Sequence, residues 1–344
     1  MSAAAALVAP AGAVVNGEKI SESSVPWFAS VGGCGGTLVS PTRVLTAAHC
    51  VQGRTIADLR QVVVGGDIVR DASHVAMHPN WRHRNGPENF LDDVAIVELA
   101  DPVTTVTPIA LATTDVPEAS ITGRGRAFAP GTGHSESEML DASLRSAPLR
   151  TLTDAQCAAA FKGYKGSSRE RYDARMRCSI DADGRDPLYS GCNGDSGGPL
   201  WATIGGVPMQ LGVVSWGGDR CGADRLPSVF ADVTRYRGFI LDPSPTWAPT
   251  SRGTVKITGT GKVGRPLTCV TRGFVPDSGA KVAYVWRRLA HSTGGHYTPP
   301  REIARGRRYT VTARDRHHRV GCTANAENDG GFVALGVVSV LVKG

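Results

Sequence analysis

Apolar residues recur at every second position in short runs that glycine, proline and aspartate interrupt, and this pattern narrows the possible folds more than any other feature of the chain. A period of two puts alternate side chains on opposite faces of a strand, so a chain written this way folds into sheets that are apolar on one face. Gly36 to Val39, Val62 to Val64 and Val94 to Leu99 are examples. With 42 glycines and 21 prolines and few long amphipathic runs, a mostly β protein is expected. Val233 to Leu241 reads instead as a short helix, stopped by Asp242-Pro243 because proline cannot continue one.

At 344 residues the chain has room for more than one packing unit. The pattern predicts a larger β unit over 14–242, a linker rich in Pro, Ser and Thr over 243–253, and a smaller unit over 254–344. In the last, six runs alternate at period two: Thr254–Thr258, Leu267–Thr271, Val282–Trp286, Tyr309–Thr312, Val320–Ala324 and Val333–Val340. Turn residues between them predict a β-sandwich.

The eight cysteines are scattered, with no Cys/His group at metal-ligand spacing, so disulfides and an oxidising compartment are expected, and no metal. Residues 1–13 are small and apolar, and Ala11-Gly12-Ala13 has the form that signal peptidase accepts. The segment is read as the remnant of a signal or pro-segment, and the protein as secreted. No later run is long and apolar enough for a membrane-spanning helix. Charge divides unevenly: residues 1–250 carry 22 Lys+Arg against 26 Asp+Glu, and residues 251–344 carry 16 against 5. Any preference for anionic cell-wall or extracellular polymers therefore belongs to the C-terminal part, through its clusters at Arg301–Arg308 and Arg314–Arg319, with a passive spacer as the alternative.

Gly191-Cys-Asn-Gly-Asp-Ser-Gly-Gly-Pro-Leu200 is the stretch richest in chemistry. A serine hydroxyl becomes a nucleophile when a tight glycine turn presents it beside backbone N–H donors and a base. Leu45-Thr-Ala-Ala-His-Cys50 supplies a histidine and Asp93-Val-Ala-Ile-Val-Glu-Leu99 opens with a carboxylate. With Val25-Pro-Trp-Phe, His78-Pro-Asn-Trp, Val214-Ser-Trp-Gly and Pro227-Ser-Val-Phe, these segments resemble the trypsin/chymotrypsin family of serine peptidases across nearly all of residues 14–242.

The resemblance implies an all-β fold of two six-stranded antiparallel barrels with a short closing helix, and a serine endopeptidase that needs no cofactor and acts on protein or peptide substrates. It assigns His49, Asp93 and Ser196 as the triad and the N–H groups of Gly194 and Ser196 as the oxyanion hole. Asp92 competes with Asp93, and strand alternation turns it away. Val14 is the implied mature terminus, pairing with Asp195, and signal peptidase alone would expose it. Ser190 stands at the floor of the primary pocket, with Gly217 and Ser228 on its walls and Ser215 and Trp216 along the substrate groove.

A serine at the floor disfavours Lys or Arg and favours medium to large uncharged P1 residues, with Asp219 and Asp224 as the rescue for basic specificity. Arg124 departs from the tryptophan common in relatives. The implied disulfides are Cys34–Cys50, Cys157–Cys178 and Cys192–Cys221, leaving Cys269 with Cys322. Cys269, Trp286 and Cys322 follow the order of an immunoglobulin-like core, and residues 254–344 resemble the Ig-like modules of secreted bacterial enzymes, without the tyrosine two positions before the second cysteine. A monomer is expected. The rival reading is a catalytically silent binding protein on the same fold.

Overall fold

The computed structural model describes residues 14–81, 90–124, 143–164, 172–185, 188–219, 221, 224–249, 254–272, 279–289, 291–293, 296–298 and 301–343. Residues 1–13, with the Ala11-Gly12-Ala13 motif, and residues 250–253 of the expected linker lie outside that set. The chain divides into two compact units, one of residues up to 51 with 59–245, the other of 52–58 with those from 246 onward.

The first unit holds two sheets, antiparallel throughout except where the short strand Ala110–Leu111 pairs parallel to Met209 and Gln210. In one, seven strands lie in the order Ile68–Arg70, Val62–Val64, Phe28–Val31, Cys34–Ser40, Arg43–Thr46, Ala95–Leu99 and Ala72–Met77. Its ladder is open, unlike the closed barrel expected. The two end strands are consecutive in sequence, and Asp71 alone separates them. The chain there leaves one edge strand and joins the other, so the sheet curls without its ends pairing.

The second sheet closes. Leu144–Thr151, Glu118–Arg124, Pro199–Ile204, Val207–Trp216, Ser228–Asp232 and Met176–Asp181 follow one another, and the last pairs back to the first through Leu149↔Asp181 and Thr151↔Ser179. These six strands form a barrel, and Glu18–Lys19 adds at Arg145 and Ser146. Inside it Ile121, Leu149, Leu200, Leu211 and Phe230 are fully buried. Burying each such side chain is worth about 1.5–3 kcal/mol. The closing helix is Val233–Ile240, as read from the sequence to within a residue; Asp232 caps it through Thr234 N, and Val233, Tyr236 and Ile240 line its buried face.

In the second unit a three-stranded sheet (Thr254–Thr258, Pro266–Arg272, Arg308–Thr310) and a four-stranded sheet (Arg301–Arg305, Lys281–Arg288, Arg319–Asn328, Gly331–Leu341) enclose one core. Trp286 is buried at its centre beside Leu267, Val320 and the Cys269–Cys322 bridge. The segment expected as an extended spacer is packed where it is described. Arg43 donates to the carbonyls of Asp242 and Pro243 at 2.5 and 3.1 Å. Asn328 donates to Trp247 O at 2.9 Å, and Pro245, Ala248 and Pro249 are buried. Prolines lose little entropy on ordering, so a proline-rich stretch docks readily where apolar surface is offered.

Candidate active site

His49 lies in the single helical turn Ala48–Val51, at the end of the strand Arg43–Thr46, and the Cys34–Cys50 disulfide ties that turn to the neighbouring strand. Asp93 lies two positions before the strand Ala95–Leu99, which pairs with Arg43–Thr46 and so brings the two residues together. The Asp93 carboxylate is fully buried and satisfied on both oxygens. Oδ1 accepts from His49 N at 2.8 Å, and Oδ2 contacts His49 Nδ1 at 2.7 Å and accepts from Ser215 Oγ at 2.6 Å. A carboxylate held to Nδ1 fixes the tautomer with the proton there, leaving Nε2 as the basic nitrogen. The ring edge packs against Phe90, centroids 5.5 Å apart.

Asp92 is also buried, but its backbone turns through φ 60° and sends its carboxylate elsewhere. It accepts from Arg175 Nη1 at 3.2 Å and from the Tyr236 hydroxyl at 3.2 Å. The two adjacent aspartates thus serve different partners. Ser215, expected only along the substrate groove, is a third support of Asp93; nothing local in its sequence reports that, since the contact spans 122 positions.

Ser196 is half-buried in the turn before Pro199–Ile204, anchored through its carbonyl by Gly35 N at 2.8 Å. Among the described residues Ser196 Oγ makes no hydrogen bond, and His49 Nε2 lies 3.7 Å from Cys50 Sγ. Catalytic hydrogen bonds are often long or misaligned before substrate binds. Cys34, His49 and Cys50 place ligand-type atoms within 4.8 Å of one another, but both sulfurs are spent in the disulfide, so this group offers no thiolate to a metal. The turn itself depends on Gly194 at φ 102° and Gly197 at φ 79°, where a β-carbon would lie 2.3 Å from Thr46 Oγ1. Asp195 N donates to Cys192 O, whereas the N–H groups of Gly194 and Ser196 on either side donate to no acceptor among the described residues. Two unspent donors flanking a spent one make a receptor for an anionic oxygen.

Below the turn, Asp195 is wholly buried. Its Oδ2 accepts from Val14 N at 2.7 Å and Cys192 N at 2.8 Å, while Oδ1 has no partner. Burial pushes the carboxyl up to about 7 against the opposing pull of the Val14 and Cys192 N–H groups. Val14 is itself fully buried and stands at φ 39°, a left-handed value costly for a β-branched residue. Val15 N donates to Ser190 O at 2.8 Å. Gly123, which the sequence did not single out, is indispensable to this arrangement: a β-carbon there would lie 1.9 Å from Asp195 Oδ1.

Ser190 and Ser228 are buried side by side, hydroxyls 3.3 Å apart. Ser190 Oγ donates to Gly191 O at 2.9 Å, and Ser228 Oγ accepts from Gly191 N at 3.0 Å. No carboxylate bonds to either hydroxyl among the described residues. Asp224 lies instead against Gly218, where a β-carbon would meet its Oδ2 at 2.2 Å, and accepts from Leu226 N; Asp219 is exposed. Gly217 is half-exposed with no side chain to narrow its surroundings, and Trp216 is buried against Phe161, centroids 4.9 Å apart. Arg124 pairs with Glu22. The disulfides are Cys34–Cys50, Cys157–Cys178, Cys192–Cys221 and Cys269–Cys322.

Among curated proteins the chain is similar to Trypsin iota of Drosophila melanogaster, 30% identical over 245 residues that cover 67% of this chain and 88% of that one. It is similar also to human Kallikrein-11, 28% identical over 243 residues covering 67% and 79%. Among solved structures it is similar to neuropsin, a serine protease of mouse brain, with a TM-score of 0.50 at 27% identity, covering 65% of this chain and 96% of that one. The family match that accompanies these likenesses, to Trypsin, runs over residues 14–240, the stretch that carries both sheets and the site. The chain belongs to the trypsin family.

Proposed function

We propose that the protein is a secreted serine endopeptidase working through an acyl-enzyme on Ser196. The observation that carries this reading is the arrangement around Asp93 and Ser196: an imidazole held through Nδ1 by a buried carboxylate, and a serine whose own N–H and that of Gly194 are unspent. His49 Nε2 takes the Oγ proton as Oγ bonds to the scissile carbonyl carbon. The carbonyl oxygen, now anionic, accepts from Gly194 N and Ser196 N, each such donor contributing about 3–4 kcal/mol to the barrier reduction. The imidazolium, held by Asp93, then delivers its proton to the leaving amine, and water repeats the sequence to free the acid.

Cleavage before Val14 completes the site. Two features support it: the strained φ of Val14, defined by the preceding carbonyl and abolished when that bond is cut, and the buried Asp195 carboxyl, which gains an ammonium in place of an amide. The floor made by Ser190 and Ser228 offers hydroxyls already committed to backbone and supplies no counter-charge for a cation, so medium to large uncharged P1 side chains are preferred. Residues 254–344 form an Ig-like module, a reading supported by the Cys269–Cys322 bridge against buried Trp286.

Digestion of a denatured protein by chain beginning at Val14, read by mass spectrometry, tests both levels. Cuts mainly after Leu, Met, Phe or Tyr are expected; cuts mainly after Lys or Arg contradict the pocket assignment. Loss of all cleavage in Ser196→Ala ties the activity to the proposed nucleophile.

A further inference from the structure

The second unit spends its carboxylates unevenly. Arg288 is paired with buried Asp315 at 2.6 Å and Arg305 with Glu302 at 2.7 Å, Arg319 donates to Ser339 at 2.9 Å, and Lys281 stands across from Glu327. All of these cations belong to the four-stranded sheet. On the three-stranded sheet the situation is reversed. Val255, Leu267 and Cys269 are buried and Ile257 and Tyr309 pack onto the core, so alternation turns Lys256, Thr268, Val270, Arg272 and Arg308 outward. The strands Thr254–Thr258, Pro266–Arg272 and Arg308–Thr310 contain no acidic residue.

Lys256, Arg272 and Arg308 are exposed, and their side chains make no ion pair or hydrogen bond among the described residues. Lys262 and Arg265 are exposed beyond the end of that row. They lie in the turn at one end of the sheet, where Val311 N donates to Arg265 O at 3.1 Å. Register orders these charges along the face: the turn first, then Arg308 opposite Thr268, Lys256 opposite Val270, and Arg272 opposite Thr254. At the rise of a strand this track is about 20 Å long.

We infer that the outer face of the three-stranded sheet is a docking surface for a linear anionic polysaccharide. The partner's chemistry follows from what lines the track. Uncompensated cations in a row attract a polymer that repeats its charge, and Thr254, Thr258, Thr268 and Thr310 on the same face supply hydroxyls for sugar hydroxyls and carboxylates. The face presents no aromatic ring, the platform on which single-stranded nucleic acid stacks its bases. The inference is independent of the peptidase reading, since it concerns a surface that no part of the proposed chemistry uses.

The test uses the full chain as Ser196→Ala, to prevent self-digestion, on immobilised polygalacturonate and dextran sulfate, with neutral dextran and single-stranded oligothymidylate as comparisons. Binding to both anionic polysaccharides at low salt, and none to dextran, is expected. Adding Lys256→Gln, Arg272→Gln and Arg308→Gln lowers affinity about tenfold or more and flattens the dependence on salt. The same number of changes on the other sheet (Arg287→Gln, Arg305→Gln, Arg319→Gln) leaves affinity unchanged. A gain variant, Thr268→Arg, strengthens binding, so the inference stays testable if the triple variant folds poorly. Absence of binding, equal loss from both triple variants, or tighter binding of oligothymidylate than of the polysaccharides overturns it.

Discussion

Asp195 accepts hydrogen bonds through one carboxylate oxygen and keeps the other buried without one, which makes it the residue most sensitive to what Val14 N carries. With residue 13 attached, the carboxyl titrates near 7, above the value of about 3.9 in an unfolded chain. The native state then holds its proton where the unfolded state has lost it. Stability from this group is therefore fully present below about pH 4 and declines as pH rises to about 7. In chain beginning at Val14 the ammonium supplies a counter-charge and the decline shrinks. Melting temperatures of the two forms as Ser196→Ala, taken from pH 4 to 8, check this; parallel profiles contradict it. Gly123→Ala drives a methyl into Asp195 Oδ1, and the displaced turn loses its donors. A fall in kcat/KM of about 10²-fold or more, with the fold intact by near-UV circular dichroism, is expected. The GDSGGP turn could be read locally because its glycines lie within it. Gly123 could not, because the space it leaves is used by a residue distant in sequence.

Among the elements, the short 3₁₀ turn Ala313–Asp315 holds more of the second unit together than its length implies. Asp315 is buried and accepts from Arg288 on one strand, Tyr309 on another and Thr312 beside it. Burial works to raise its carboxyl, and the hydrogen bonds from Tyr309, Arg288 and Thr312 outweigh that and hold it below the ordinary range. Its contribution is present above the unfolded value of about 3.9 and is lost as pH falls through the lower native one. Asp315→Ala leaves Arg288 without its buried partner and is expected to cost about 3–5 kcal/mol, read by urea unfolding of the full chain. An unchanged midpoint would show the pair to be dispensable. Period-two alternation gave the strands well, since it reports which face of a strand is buried. It does not report partners, and so the curl of the first sheet at Asp71 and the packing of the proline-rich segment came only with the structure.

Over the whole molecule, charge and chemistry separate. The proposed site residues all fall within 14–240, residues 1–250 carry more acids than bases, and the excess of cations falls beyond residue 250. The segments around His49, Asp93 and Ser196 stood out in the sequence because the neighbours of each do local work: a disulfide beside the histidine, an apolar strand after the aspartate, glycines around the serine. The roles of Ser215, Arg175 and Tyr236 were not, because their partners are set by how strands distant in sequence come together. On the proposed function, Ser196 becomes an activated nucleophile once Val14 is the terminus. Labelling by a fluorophosphonate tests it directly, on chain beginning at Val14, on its Ser196→Ala variant and on chain beginning at Met1. Labelling of the Val14 form alone is predicted. A folded Val14 form that stays unlabelled, or a Ser196→Ala variant that labels as well as the parent, contradicts that role for Ser196.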